Sequence, residues 1–488
     1  MVASSATIRH TSLLVGDSWT DAEGGATFEV INPATELVLA EVAAASQPDV
    51  DRAVAAARAQ LDGGAWSRLS GAQRGRLLLR VAELIERDAE RLAELEALDV
   101  GKPIGEARMV DVPAAAATFR YYAGWADKIE GRLVPTAGLR GRATHSYVRR
   151  EPVGVVAAIT PWNAPLMIAA WKLAPALCAG CTVVVKPAED APLATLYLGA
   201  LFVEAGFPPG VVNVLPGTGE LAGAALVSHP GVDKVSFTGS PEVGRLVQTA
   251  AAATFKRVTL ELGGKSPHIV LADADIEAAV RGAARGLFAN QGEVCAAGTR
   301  ILVHRSVREA VLAGLAAAAA DIRLGDPLDP QTTMGALISD AHRDRVWGYI
   351  EAGRAEGARV VAGGHRVDGP GYFVQPTIFA DAHPQMRIAQ EEIFGPVGTV
   401  LEFDEVDEAL DIANGTPYGL AACLWTRDLS SAHSIAERIK AGSVWVNCWG
   451  AIDPRLPWGG MKQSGLGREL GYSAIEANTE EKAVTVLL

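Results

Sequence analysis

From Glu151 onward the chain is built on short apolar runs, each closed by glycine or proline, at 153–159, 182–185, 211–215 and 234–237. Runs of that length without polar alternation describe strands buried on both faces. Alanine-rich helical stretches separate them, so the pattern predicts βαβ units and a parallel sheet. A second series, at 268–271, 300–304 and 442–447, predicts another set of strands. Two α/β units meeting near Gly263 follow, and 488 residues leave ample chain to cover both sheets with helices.

The first third reads as mostly helical. Over 69–98, Leu77, Leu78, Val81, Leu84, Ile85 and Leu92 recur at three-to-four spacing, and Gly101 and Pro103 end the pattern. Two segments belong to neither sheet. The polar, alternating stretch 129–150 and the tail 471–488, with its β-rich end 483–488, are expected to form exposed edges or to reach across a partner subunit, which favours a homo-oligomer.

The uncharged run 152–171 imitates a membrane span, but Pro161, Asn163 and Pro165 interrupt it, so it reads as a strand, a loop and a helix start. Residues 1–20 show no export signal. The balance of 44 basic against 57 acidic residues gives −13, which argues against nucleic acid and anionic membranes as partners. Five cysteines, at 178, 181, 295, 423 and 448, are too few and too scattered for a disulfide framework and point to a reducing, cytoplasmic setting.

Candidate phosphate-binding turns are Thr238-Gly239-Ser240-Pro241, after the run 234–237, and the rival Gly217-Thr218-Gly219. Either opens a helix whose free amides suit a pyrophosphate, and either could be a plain tight connection. Lys186-Pro187-Ala188-Glu189 follows another strand; its acid would accept hydrogen bonds from both ribose hydroxyls and repel a 2′-phosphate, favouring NAD over NADP.

Cys295 sits among small and polar residues just before a strand, where its sulfur could meet a ligand or fill an apolar gap. Cys423 and Cys448 read as strand interior, and Cys178-Ala179-Gly180-Cys181 lacks further ligands, so no metal site is expected. Glu261, set in apolar residues before Gly263-Gly264, could be a base raised by desolvation or one half of a strand-end salt bridge. Glu391-Glu392 is similarly open.

Together, Thr160-Pro161-Trp162-Asn163-Ala164-Pro165, Lys186 to Glu189, Phe237 to Ser240, Glu261 to Pro267, Gly292 to Cys295, Glu391 to Pro396 and Pro457 to Gly465 resemble, in this order, the aldehyde dehydrogenase superfamily over nearly the whole chain. The resemblance implies a Rossmann-like cofactor domain (1–128 and 152–262), a second α/β catalytic domain (263–463) and a small β oligomerisation arm (129–151 and 464–488). It implies Cys295 as nucleophile, Glu261 as base and Asn163 with the Cys295 amide as oxyanion hole, with Lys172 and Glu480 as candidate proton relays. For NAD it implies Thr160, Trp162, Lys186, Glu189, Gly239, Ser240, Gly263, Glu392 and Phe394. One departure is Glu293, where many members carry Gln; its charge is expected either to raise the thiol pKa or to point into solvent.

By the same resemblance, the aldehyde channel is lined by Ala164, Met167, Trp171, Val294, Ala296, Trp449, Ile452 and Trp458. That apolar lining, opened by Ala164, suits medium-chain or aromatic aldehydes. The Trp171 and Trp458 faces also suit a quaternary ammonium such as betaine aldehyde, or an amino-aldehyde, although Ala164 and Ala289 remove part of such a cage. A CoA-acylating relative and a non-catalytic relative are the other readings; Glu261 speaks against the first, and thiol and base together against the second.

Overall fold

The computed structural model describes residues 8–488, so the start of the stretch read for an export signal lies outside the described residues. Among these residues, no helix is long and apolar enough to cross a membrane. The uncharged run 152–171 resolves into the strand Val155–Ile159, a loop and the helix Pro165–Ala179. That helix is buried on almost every side because it lies between the first sheet and neighbouring helices; burying each of its leucines contributes about 1.5–3 kcal/mol.

The first sheet has eight strands, in the order Gly465–Leu466, Arg257–Glu261, Lys234–Thr238, Val155–Ile159, Thr182–Lys186, Val212–Val214, Leu13–Val15, Ser18–Thr20. Its five central strands are parallel. The chain enters this parallel core at Val155–Ile159, steps outward to Val212–Val214, then crosses back to Lys234–Thr238 on the other side. Connections therefore diverge between Val155–Ile159 and Lys234–Thr238, which opens a crevice at the carboxyl ends of those two strands.

The second sheet repeats the device with seven strands, in the order Arg359–Ala362, Thr377–Ala380, Val397–Phe403, Arg300–His304, Pro267–Val270, Ala421–Trp425, Ser443–Val446. All neighbours in it are parallel except the edge strand Arg359–Ala362. The tight linker 262–266 joins the first sheet to the second.

The two segments that fit neither sheet find each other. Thr144–Pro152 and Thr479–Leu487 pair antiparallel along nine residues, from Thr479 opposite Pro152 to Leu487 opposite Thr144, with Arg132–Leu133 as a short third strand. The outer edge of Thr479–Leu487 stays unpaired, and charges at Glu480, Glu481 and Lys482 mark it.

Three expectations need correction. The helical pattern over 69–98 is two helices, Gly71–Arg87 and Ala89–Val100, jointed at Asp88, whose backbone leaves the helical region (φ −99°, ψ 20°) while the apolar face continues in phase across the joint. The first third also holds strands, among them the hairpin Thr27–Asn32 with Leu37–Ala43. Cys448 lies just past the strand Ser443–Val446 and not inside one.

Candidate active site

The crevice of the first sheet faces the Cys295 loop that precedes the second sheet's strand Arg300–His304, and between them lies a cavity of about 1530 Å³. That exceeds the few hundred to about 1,000 Å³ of most ligand pockets, room for a dinucleotide as well as a second molecule. Thr160 and Thr238, at the carboxyl ends of the two diverging strands, carry buried hydroxyl oxygens with no partner among the described residues. Such orphans call for a polar ligand.

Cys295 follows a turn in which Asn290 (φ 47°), Gln291 (56°) and Gly292 (74°) all adopt left-handed conformations. A turn of that kind persists only where its surroundings hold it. Here they do: the Asn290 amide N–H donates to Glu106 Oε2 (2.8 Å), and Asn290 Nδ2 donates to the Asn163 carbonyl (2.9 Å). Asn163 Nδ2 in turn donates to the Glu293 carbonyl (2.8 Å). One amide proton of Asn163 is thereby fixed, which leaves the other for a ligand.

Gly263 and Gly264 sit where two walls close in. A β-carbon on Gly263 would lie 2.0 Å from Glu392 Oε2, and one on Gly264 only 2.4 Å from the Cys295 carbonyl oxygen. The Gly264 N–H also donates to Glu392 Oε1 (2.9 Å). Only a residue without a side chain lets the strand end, the thiol loop and the Glu392 loop approach so closely.

Burial pushes the Cys295 thiol up to about 12, with Glu392 and Glu261 adding to the rise and the Ala296 and Cys295 backbone amides opposing it. Glu261 lies well above the usual carboxylate range, first through burial and then through the nearby Glu469 charge, against Lys172 and Arg468. Neither of its oxygens has a partner, so the strand-end salt bridge is absent. Glu392 is raised to about 7 by burial, against the Gly264 N–H.

Most residues singled out from the sequence converge on the cavity: Trp162, Asn163, Gly239, Ser240, Glu261, Gly263, Cys295, Glu392 and Phe394 line it. So do Ala164, Met167, Trp171, Val294, Ala296, Trp449, Ile452 and Trp458. Thr160 does not line it, although its neighbour Pro161 does, and Lys186 and Glu189 stand outside it, at the carboxyl end of the strand Thr182–Lys186. There Lys186 Nζ donates to Glu189 Oε2 (2.8 Å) and the Gly219 N–H to Glu189 Oε1 (3.1 Å). Burial alone would raise Glu189, but the Lys186 charge and these donors hold it below its ordinary value. At the turn Thr238-Gly239-Ser240-Pro241, Ser240 Oγ caps the helix Pro241–Ala252 by accepting from Val243 N–H (3.2 Å).

Glu480 is not part of this assembly. It lies on the edge strand, 43% exposed, with both carboxylate oxygens on Arg257 (2.6 and 2.9 Å). The acid that meets Lys172 is Glu469, Nζ to Oε1 2.5 Å, with Ser236 Oγ beside it. Lys172 itself is buried behind the cavity and does not line it, whereas Glu469 does. The signal missed was a lone acid in the glycine-rich loop Gly467-Arg468-Glu469-Leu470-Gly471, ahead of the more conspicuous Glu480-Glu481 pair.

Glu293 also departs from expectation: it neither faces solvent nor acts on the thiol. Its side chain is fully buried, with Oε1 accepting from Ile338 N–H (3.0 Å) and Oε2 from Gln291 Nε2 (3.2 Å). A second omission is Trp445, which joins Trp171, Trp458 and Trp449 into one aromatic wall; successive centroids are 5.8, 6.1 and 6.3 Å apart.

Two α/β sheets thus flank one cavity that a thiol and an unpartnered carboxyl line. Residues 19–484 match the aldehyde dehydrogenase family model. The chain is 47% identical to human retinal dehydrogenase 2, covering 98% of this chain and 92% of that one. Among solved structures it is similar to the NAD+ complex of an aldehyde dehydrogenase from Bacillus cereus, with 47% identity, TM-score 0.96 and coverage of 98% and 97%. It is also similar to the P. syringae indole-3-acetaldehyde dehydrogenase in complex with NAD+ and IAA, with 46% identity, TM-score 0.96 and coverage of 99% and 98%. The chain belongs to the aldehyde dehydrogenase family.

Proposed function

We propose that this protein oxidises an aldehyde to its carboxylic acid with NAD, through a covalent adduct on Cys295. The observation that carries the reading is the meeting, in one cavity, of a thiol, a buried carboxyl without a partner and an amide already fixed at one proton. A thiol held up to about 12 is nearly all protonated at neutral pH, so it needs a base, and Glu261 is the carboxyl beside it able to take the proton. The sulfur adds to the carbonyl carbon to give a thiohemiacetal, whose oxyanion lies against Asn163 Nδ2 and the Cys295 amide. One such donor is worth about 3–4 kcal/mol.

When bound, NAD supplies the hydride acceptor that turns the adduct into a thioester. Once Glu261 has released the thiol proton to solvent through the cavity, its carboxylate deprotonates the water that releases the acid. Lys172 and Glu469, packed behind Glu261, bias its charge state. Lys186 and Glu189 would hold the adenosine ribose, and Ser240 with Gly239 the pyrophosphate at a helix N-terminus. Thr160, Trp162, Gly263, Glu392 and Phe394 would frame the nicotinamide side. In this reading 1–128 with 152–262 form the cofactor domain and 263–463 the catalytic domain. Segments 129–151 and 464–488 hold a cytoplasmic homo-oligomer together through the open edge of Thr479–Leu487.

The four-tryptophan wall and the small side chains of Ala164 and Ala289 support a medium-chain or aromatic aldehyde. The same indole faces favour, as a second reading, a betaine- or amino-aldehyde. Purified protein given NAD and a panel of alkanals, aryl aldehydes and betaine aldehyde should raise the NADH absorbance, most for one class. A flat trace across the panel would reject the reading, and turnover only with CoA present would redirect it to acyl transfer.

A further inference from the structure

Glu293 lies two residues before the thiol, yet its carboxyl turns away from the cavity toward the helix Asp340–Ala355. Beside it, 3.6 Å from Oε1, is His342 Nε2. The same Nε2–H donates to the Phe394 carbonyl at 2.7 Å. Phe394 needs that anchor, because it adopts a left-handed backbone (φ 60°) that a phenylalanine seldom takes. Trp162 packs edge-on against both rings, at 5.5 Å from His342 and 5.2 Å from Phe394. Meanwhile the Glu293 carbonyl accepts Asn163 Nδ2 and Asn290 Nδ2, at 2.8 and 3.2 Å. One residue therefore grips the Asn163 amide with its backbone and, by accepting from Ile338 N–H, holds with its side chain the segment that leads into the helix carrying His342.

We propose that Glu293 and His342 are a pair of positioning residues that clamp the Cys295 loop to the strained Phe394 turn, and so set where the nicotinamide half of the dinucleotide lies against the thiol. The role rests on the NAD-dependent reading above. His342, Trp162 and Phe394 line the cavity while the Glu293 side chain stands behind them, so the pair acts through its neighbours.

Burial disfavours charge on both members of the clamp. Burial holds the Glu293 carboxyl well above its ordinary value, against the Ile338 N–H and Gln291; of the charged groups facing it, Lys102 opposes the rise and Asp190 adds to it. Burial lowers His342 to about 4, against the hydrogen bond to Phe394 O and with Arg345 pressing the same way as burial. A neutral imidazole with its proton on Nε2 is what the Phe394 carbonyl requires. Raising the pH through the elevated Glu293 pKa would place a carboxylate beside that N–H, draw it off Phe394 and slacken the turn. The clamp is thus intact on the acid side of that pKa and lost on the alkaline side.

The test compares wild type with E293A, H342A and E293Q. Its readouts are the NAD dissociation constant by calorimetry, KM for NAD against kcat, Tm, and the rate at which iodoacetamide alkylates Cys295 with and without NAD. In E293A and H342A, NAD binding should weaken about tenfold, as expected for a lost hydrogen bond in a buried network. NAD should also change the alkylation rate less than in wild type, and KM should rise more than kcat falls. E293Q should restore all of these at neutral pH and, unlike wild type, keep its NAD affinity in alkaline buffer. If the alanine variants only lower Tm and bind NAD as wild type does, or if E293Q and wild type share one pH profile, the pair is merely structural and the proposal falls. Wild type that makes no NADH from any aldehyde would instead sink the functional reading, an outcome separable because alkylation needs no turnover.

Discussion

The inner and outer ends of the crevice treat charge in opposite ways. At the outer groove, Glu189 is matched by Lys186 and the Gly219 N–H and sits below its ordinary pKa. At the inner end Glu261 has no partner for either oxygen, and both it and the Cys295 thiol are pushed up by burial. A site that only has to hold a ligand can satisfy its own polar groups beforehand. One that has to move protons keeps them unsatisfied and close to both charge states, at a cost in stability.

The sharpest way to break this contrast is at the inner end. C295A should lower NADH formation by about 10⁴-fold or more while NAD binding, followed by tryptophan fluorescence, persists. E261Q should cost about 10²–10⁴-fold in steady-state turnover. It should also stabilise the fold: a carboxyl whose folded pKa is raised binds extra protons relative to the unfolded chain, so wild-type stability falls as pH rises above the ordinary 4.5, and Gln removes that loss. Calorimetric Tm should then be higher for E261Q, with a gap that widens toward alkaline pH; a gap that narrows would contradict the raised pKa. N163A should lower kcat by about 10²–10³-fold, read from initial rates at saturating aldehyde.

At the outer end the effects shrink and change kind. E189Q should raise KM for NAD about tenfold with kcat nearly unchanged, since it weakens a ribose contact made equally before and during reaction. E480Q should leave both constants within about twofold, as expected for an exposed ion pair with Arg257. A large kcat effect at Glu480 would return it to the proton path in place of Glu469.

The parallel strands were readable because burial on both faces leaves an uninterrupted apolar run between glycine and proline, as at Val155–Ile159 and Thr182–Lys186. Edge strands such as Ser18–Thr20 and Arg359–Ala362 carry no such signature, since half of their surface is wet. The joint at Asp88 was hidden because Leu84, Ile85 and Leu92 keep helical phase across it. Within the site, local motifs pointed to Cys295, Asn163 and Glu261. What they could not convey was pairing over long separations: Lys172 meets Glu469 across 297 positions, and Glu293 accepts from Ile338 N–H across 45.

The return of Gly465–Leu466 to the flank of Arg257–Glu261, with Glu469 arriving beside Lys172 just afterwards, has a consequence for biosynthesis. On the ribosome, the strands from 155 to 261 emerge long before their last neighbour, and until it comes the buried lysine has no counter-ion and the sheet keeps a raw margin. The surroundings of Glu261 are therefore completed only by the C-terminal part of the chain.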